Sequence, residues 1–389
     1  MSFTNLTLPD KLYYDITISN LDNNNSAPPN AYFNETRQQP FVSDPQQYYM
    51  SIIRFTLDTP TLPIFIPEIK NHSTDLNDTI YSITLEWTNP LNPTQTITSQ
   101  KYIQFIPQDQ NATVPLPPSA TQNGLQNNGT GYYFIYSYQY WIYLCNLTFQ
   151  ACFDDLVFQA NFLSLTLPTT YAPVLTFDTQ QNIAILNSDL LGYDTTNNNC
   201  IYIYFNSAML QLFSSFPYYI ETFKNINGKN FQIQTNTFGG SNEMLFPPTN
   251  PTYTVIQTFQ EYSTTALWSP IVSIVFCSNT LPIVPNQVST PLLFYNGVAL
   301  TNGGNNSNIS QVITDIVSDS GMYKPNLVYN PTAQYRLIEL LGNRPLYNLD
   351  IEIFWKDRTG GLNPLKLSAG STATVKFLFT RRDNYSNYK

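Results

Sequence analysis

The sequence predicts an all-β protein built from antiparallel strands, and three observations lead there. Apolar and polar residues alternate over short segments, the signature of half-buried strands. Turn residues separate these segments, and 28 prolines are scattered along the 389 residues, which suits short strands and disfavours a helical bundle. The hydrophobic fraction is 42%, enough for a folded core, and the length accommodates one large or two ordinary domains.

The elements follow in chain order. Tyr14, Ile16 and Ile18 oppose Asp15, Thr17 and Ser19 in the first strand. Ile53, Phe55 and Leu57 oppose Arg54, Thr56 and Asp58 in the next, and Tyr81, Ile83, Leu85 and Trp87 oppose Ser82, Thr84 and Glu86 in a third. One stretch has a different period. From Tyr138, apolar residues recur at Trp141, Ile142, Cys145, Phe149, Cys152, Phe153, Leu156, Val157 and Ala160, in steps of three and four. That spacing predicts a helix over about 137–160. A strand at Ile201–Phe205 leads into a second short helix, capped by Asn206 or Ser207 and covering Met209 to Phe213. Toward the end, Leu349, Ile351, Ile353 and Trp355 share a face, as do Ala373, Val375, Phe377 and Phe379. Turns at Asp357–Gly361 and Ser368–Ser371 separate these segments, so Tyr335 to Thr380 reads as an antiparallel meander. Polar low-complexity loops fall at Asn23–Asn25, Gln122–Gly131, Thr195–Asn199, Asn236–Asn242 and Thr301–Asn308.

Charge is scarce. Asp, Glu, Lys and Arg make up 11% of the chain, against roughly 25% in an ordinary soluble domain. No Lys or Arg lies between Lys101 and Lys224, while Tyr (28) and Phe (25) are abundant. A monomer normally holds its neighbours off with a mixed charged surface. A chain without one is expected to have much of its exterior covered by other copies or other proteins. The net charge of -9 argues against a phosphate-neutralising role, so no strong nucleic-acid binding is expected. No apolar run of eighteen residues predicts a membrane span. The N-terminus lacks the basic and apolar regions of a secretory signal.

Catalytic equipment is missing too, and no catalytic residue, cofactor or metal site is assigned. The single histidine, His72, sits in a polar turn with nothing nearby to orient it as a triad requires. Cys145, Cys152, Cys200 and Cys277 have no metal-ligand spacing and read as free buried thiols; on a helix, Cys145 and Cys152 are about 10 Å apart along the axis, too far to bridge. Asp154 and Asp155 point about 100° apart on that helix. Asp350 and Glu352 read as the solvated polar face of a strand. Gly239-Gly240 and Gly303-Gly304 read as turn glycines, and Arg381-Arg382 as a solvated tail. The tyrosines at 132, 133, 136, 138, 140 and 143 could stack on sugar, but core and protein interface explain them better.

Two regions resemble the minor capsid, or penton, proteins of polinton-like viruses, virophages and related tailless double-stranded DNA viruses. The first is Tyr48-Tyr49-Met50-Ser51-Ile52-Ile53-Arg54-Phe55 running into the proline-rich segment Thr59 to Pro67. The second is Pro345 to Arg358 with the closing strand that ends Phe377-Leu378-Phe379-Thr380-Arg381-Arg382. The resemblance implies a jelly-roll β-sandwich, five copies closing a ring at an icosahedral vertex, and contact with the major capsid protein. It implies a virion component made in the host cytoplasm. A single jelly-roll needs fewer than roughly 200 residues. The expected division is therefore a jelly-roll from 1–111 and 251–389, with long loops and a helix-bearing insertion at 112–250. Two alternatives stay open: a tandem jelly-roll major capsid protein forming trimers, and an extracellular carbohydrate-binding adhesin.

Overall fold

The computed structural model describes residues 9–21, 28–120, 126–224, 228–236, 241–245, 254–283, 292–295, 298–300, 311–317, 326–329, 336–358 and 360–383. The chain divides into two compact units, Met1–Leu62 with Ile271–Lys389, and Pro63–Pro270. The switch points therefore fall at 62/63, within the proline-rich run, and at 270/271, whereas the sequence expectation sets them at 111/112 and 250/251.

The first unit opens with β1 (Lys11–Ser19), β2 (Tyr32–Thr36) and β3 (Tyr48–Asp58). The second unit supplies β4 (Asp78–Thr88), β5 (Thr96–Gln104), α1 (Tyr138–Phe162), β6 (Val174–Asp178), β7 (Ile183–Asp189), α2 (Leu190–Tyr193), β8 (Ile201–Phe205), α3 (Ser207–Phe213), β9 (Tyr218–Ile220), β10 (Phe231–Ile233), β11 (Ser241–Leu245), β12 (Thr254–Phe259) and α4 (Thr265–Trp268). The first unit then resumes with β13 (Ile271–Ser278), β14 (Leu292–Tyr295), β15 (Val298–Leu300), β16 (Gln311–Ile316), β17 (Asn326–Tyr329), β18 (Ile338–Glu339), β19 (Asn348–Asp357), β20 (Gly361–Pro364) and β21 (Thr372–Arg381).

The first unit is a sandwich. One sheet runs β1-β21-β3-β17, with β18 also on β3; the other runs β15-β14-β20-β19-β13-β16, with β2 also on β19. Among the described residues every pairing in the two sheets is antiparallel except β14 with β20. The inner faces meet through apolar side chains, as where Phe55 of β3 sits edge-on to Phe276 of β13, 4.9 Å between ring centroids. The expected alternation in β3 is interrupted. Phe55 and Leu57 point inward, but the pairing with β21 shifts register between Lys376 and Phe377, Ile53 is only half-buried, and Met50 and Ile52 take the inward positions instead. A bulge of this kind flips the face of everything before it.

The expected C-terminal meander is corrected. β19 and β20 do form a hairpin, turned by Gly360 at φ 88°. β21, however, leaves that sheet and pairs with β1 and β3 in the other one. Alternation predicts a strand but is silent about its partner, and the Leu365–Ser371 segment carries the chain across the sandwich.

The second unit is organised around α1. The helix spans 25 residues, and its inner face carries the buried Trp141, Ile142, Cys145, Phe149, Cys152, Phe153, Leu156 and Ala160 foreseen from the period, while Val157, expected with them, sits at the flank of that face and is only half-buried. One sheet, β5-β4-β8-β10-β9, and a second, β11-β12-β7-β6, each lie against it. Trp141 packs edge-on to Phe65 (4.8 Å) and Tyr81 (5.2 Å) at the centre of this core. The short helix α3 begins as expected: the Asn206 side chain accepts the Met209 amide at 3.0 Å. A tandem jelly-roll would need a second sandwich here; the unit instead wraps two sheets around a helix.

Candidate assembly surfaces

Most of the residues singled out in the sequence turn out to be structural. Tyr132 and Tyr133 lie in the core of the second unit, their rings beside Phe105, and the Tyr133 hydroxyl donates to the Leu76 carbonyl at 2.9 Å. Burial pushes the Tyr136 hydroxyl up to about 12. Tyr143 alone of the cluster is half exposed. A continuous sugar-stacking platform is therefore not formed by these six rings. His72 is exposed in a turn, at φ 63°.

The four cysteines are free and buried. Burial pushes the thiols of Cys152 and Cys277 up to about 12, and that of Cys145 further still, so none supplies a thiolate at neutral pH. Asp154 and Asp155 diverge as their spacing requires. Asp155 accepts Ser99 Oγ at 2.7 Å and pairs with Lys101 at 3.4 Å, while Asp154 faces outward and accepts the Gln150 side chain at 2.8 Å.

Two expectations about charged residues are corrected. Asp350 and Glu352 are 1% and 8% exposed, not solvated, because β19 lies between β13 and the β2–β20 edge with both faces covered. The Asp350 carboxylate accepts Asn279 N–H, Thr280 N–H and the Thr280 and Ser278 hydroxyls, and so ties down the turn that follows β13. Arg381 and Arg382 are not a free tail. Arg381 closes β21, and Arg382 donates to the Leu340 carbonyl at 3.0 Å with its guanidinium 4.9 Å from the Tyr49 ring. Gly239-Gly240, Gly303-Gly304 and the loops at Asn23–Asn25 and Thr301–Asn308 lie outside the described residues, as do parts of those at Gln122–Gly131 and Asn236–Asn242.

Among the described residues no group of three His, Cys, Asp or Glu side chains converges as a metal site would require, and no helix is long and apolar enough to cross a membrane. A cavity of about 390 Å³ opens beside β16. Val275, Val312 and Leu362 line its floor, and its one carboxylate, Asp315, is held in an ion pair with Arg336.

What the surface does offer is apolar area. On α1, Tyr143, Leu147, Phe158 and Phe162 project from the outer side, Phe158 at 70% and Phe162 at 81% exposure. Their spacing places them within an arc of about 100°. One flank of that arc is strapped to β6, where Asn146 exchanges two hydrogen bonds with the Leu175 backbone. The other is strapped to β5 through Asp155 and Gln159. The helix is thus held with an aromatic stripe facing outward. A second patch lies on the edge strand β9 and just beyond it, at Tyr219, Ile220 and Phe223. The α1 stripe was legible in the sequence as a second set of positions four apart, 143/147 and 158/162, off the core-facing period. The β9 patch carries no such signal, since Tyr-rich strands look alike whether central or at an edge.

Comparison with known proteins decides what kind of molecule carries these surfaces. A family model described as Sputnik minor capsid protein V18/19 matches residues 12–381. The chain belongs to that family. Two proteins of the Sputnik virophage are similar in sequence. The uncharacterized protein V18 is 32% identical over 149 residues, covering 38% of this chain and 85% of V18. The structural protein V19 is 28% identical over 192 residues, covering 49% of this chain and 85% of V19. A chain in the 3.5 Å cryo-EM structure of the Sputnik virophage superposes with a TM-score of 0.79 at 26% identity, over 97% of this chain and 99% of that one. The mavirus penton protein shares the fold, with a TM-score of 0.61 at 14% identity over 96% and 100% of the two chains. The sandwich is accordingly a jelly-roll, and this member of the V18/19 family is a minor capsid structural protein of the virion.

Proposed function

We propose that the chain is a penton subunit: five copies associate around each icosahedral vertex and contact the surrounding major capsid protein, after synthesis in the host cytoplasm. The family match across residues 12–381 carries this reading. The fold shared with a penton protein supports the five-fold ring, and a charge content of 11% supports burial of the exterior among neighbours. In this arrangement the Pro63–Pro270 unit is an insertion in the jelly-roll chain. The subunit needs no cofactor, metal or catalytic residue, because its work is burial of surface and shape complementarity.

Purified particles provide the test. An icosahedral reconstruction is expected to place both units of this chain in density at the five-fold positions. Density for the chain at the pseudo-hexagonal positions instead would overturn the proposal and favour a trimeric major capsid protein.

A further inference from the structure

We infer that the outer stripe of α1 on one copy packs against the β9 edge of a second copy of this chain, giving a head-to-tail contact that repeats around the assembly. The inference rests on the self-association proposed above and adds the surfaces that carry it.

A ring closed by rotation uses a heterologous interface, so each copy must present two different patches that fit one another. The second unit has two. In the sheet β5-β4-β8-β10-β9, α1 packs over the β5 side, while β9 is the opposite edge. Four strand spacings separate the two edges, about 19 Å. The patches therefore point to different neighbours.

Their chemistry is complementary. The stripe is apolar around one exposed charge, Asp154, which accepts a hydrogen bond from the neutral Gln150 and has no ion-pair partner among the described residues. The β9 patch ends in Phe223, 76% exposed, followed by the exposed Lys224, the first basic residue after Lys101. Glu221 is also exposed there and partly offsets the lysine, so the charge swap at positions 154 and 224 is what isolates the Lys224 contribution. Two copies each carrying a net charge of -9 repel, and contact is cheapest where charge is sparse or opposed. Among the described residues β9 pairs only with β10, which leaves its other side a backbone edge. Each patch offers on the order of 400 Å² of apolar surface, about half of what one partner contributes to a stable interface. Patches of about that size are the largest a typical monomer shows and are often functional.

The test uses the purified full chain and native mass spectrometry at fixed concentration, with circular dichroism to verify folding. Phe158→Asp with Phe162→Asp, and separately Phe223→Asp, are each expected to cut the oligomeric fraction at least tenfold. Asp154→Lys and Lys224→Asp are each expected to weaken assembly, and the two combined in one chain to restore it. Folded variants that assemble like the wild type would overturn the contact while leaving the penton reading intact. A wild-type chain that stays monomeric would overturn both. Should the aspartate variants unfold, a photo-crosslinker at position 158 decides: capture of residues 218–224 from another copy supports the contact, and capture of any other segment overturns it.

Discussion

Replacing Asp350 with alanine is expected to lower the stability of the jelly-roll unit by about 2–5 kcal/mol at pH 7, since two backbone amides lose their acceptor at about 1–3 kcal/mol each. The carboxylate is 1% exposed and accepts four hydrogen bonds. Its removal leaves the Asn279 and Thr280 amides facing a gap. Burial by itself raises the carboxyl, but the bonds from Ser278, Thr280 and the two amides outweigh it and hold the group below the usual carboxylate range. The sign of the pH dependence follows. The folded value lies below the unfolded one, so the contribution is complete above the unfolded value near ~3.9 and is lost as pH falls through the folded value. Asp350→Asn keeps the shape but offers one acceptor and a misplaced donor. Its deficit against the wild type, read from urea unfolding, is expected to be clear at pH 7 and to shrink below pH ~4. A deficit that stays constant across that range would mean the charge of Asp350 is not what the turn uses.

Trp141→Ala is expected to cost about 3–5 kcal/mol in the second unit, the usual penalty for emptying a large aromatic site in a core. The indole is fully buried and wedged against Phe65 and Tyr81. Trp141→Phe is the informative companion. The indole N–H finds no hydrogen-bond acceptor among the described residues, so the tryptophan carries an unsatisfied donor that phenylalanine lacks. The phenylalanine variant is therefore expected to lose well under half as much as the alanine one, measured as the shift in the urea midpoint. Equal losses would show that a bound water or another group satisfies the indole and that it contributes more than volume.

The sequence revealed local structure wherever one period ruled a segment. The α1 period names most of the buried residues of the helix, missing Leu144 and Thr148 and including the half-buried Val157, and Asn206 announces α3, because both are set by neighbours three and four residues away. Pairing was not legible. Nothing local to β21 says that it abandons β19 and β20 for β1 and β3. The Ile53 bulge was hidden for the same reason, since it arises from register against a strand more than three hundred residues later. Asp350 and Arg382 were misjudged because charge in a sequence is read as exposure. A carboxylate met by four donors, or a guanidinium set over Tyr49, depends on tertiary partners. The tyrosines show the converse: composition separates core and interface from catalysis, but only coordinates tell Tyr133 in the core from Tyr143 at the surface.

Function was legible in the two stretches that resemble minor capsid proteins, and the family match over residues 12–381 bears that resemblance out. Scarce charge and abundant aromatic side chains accord with the assembly role proposed above. The proposed contact between the α1 stripe and the β9 edge would give that role a location.

The mass of the full chain in solution, taken by native mass spectrometry over a range of concentrations and salt, tests this account most directly. Five times the 44.3 kDa of one chain is the predicted species, populated increasingly with concentration. A single 44.3 kDa species under every condition would contradict it.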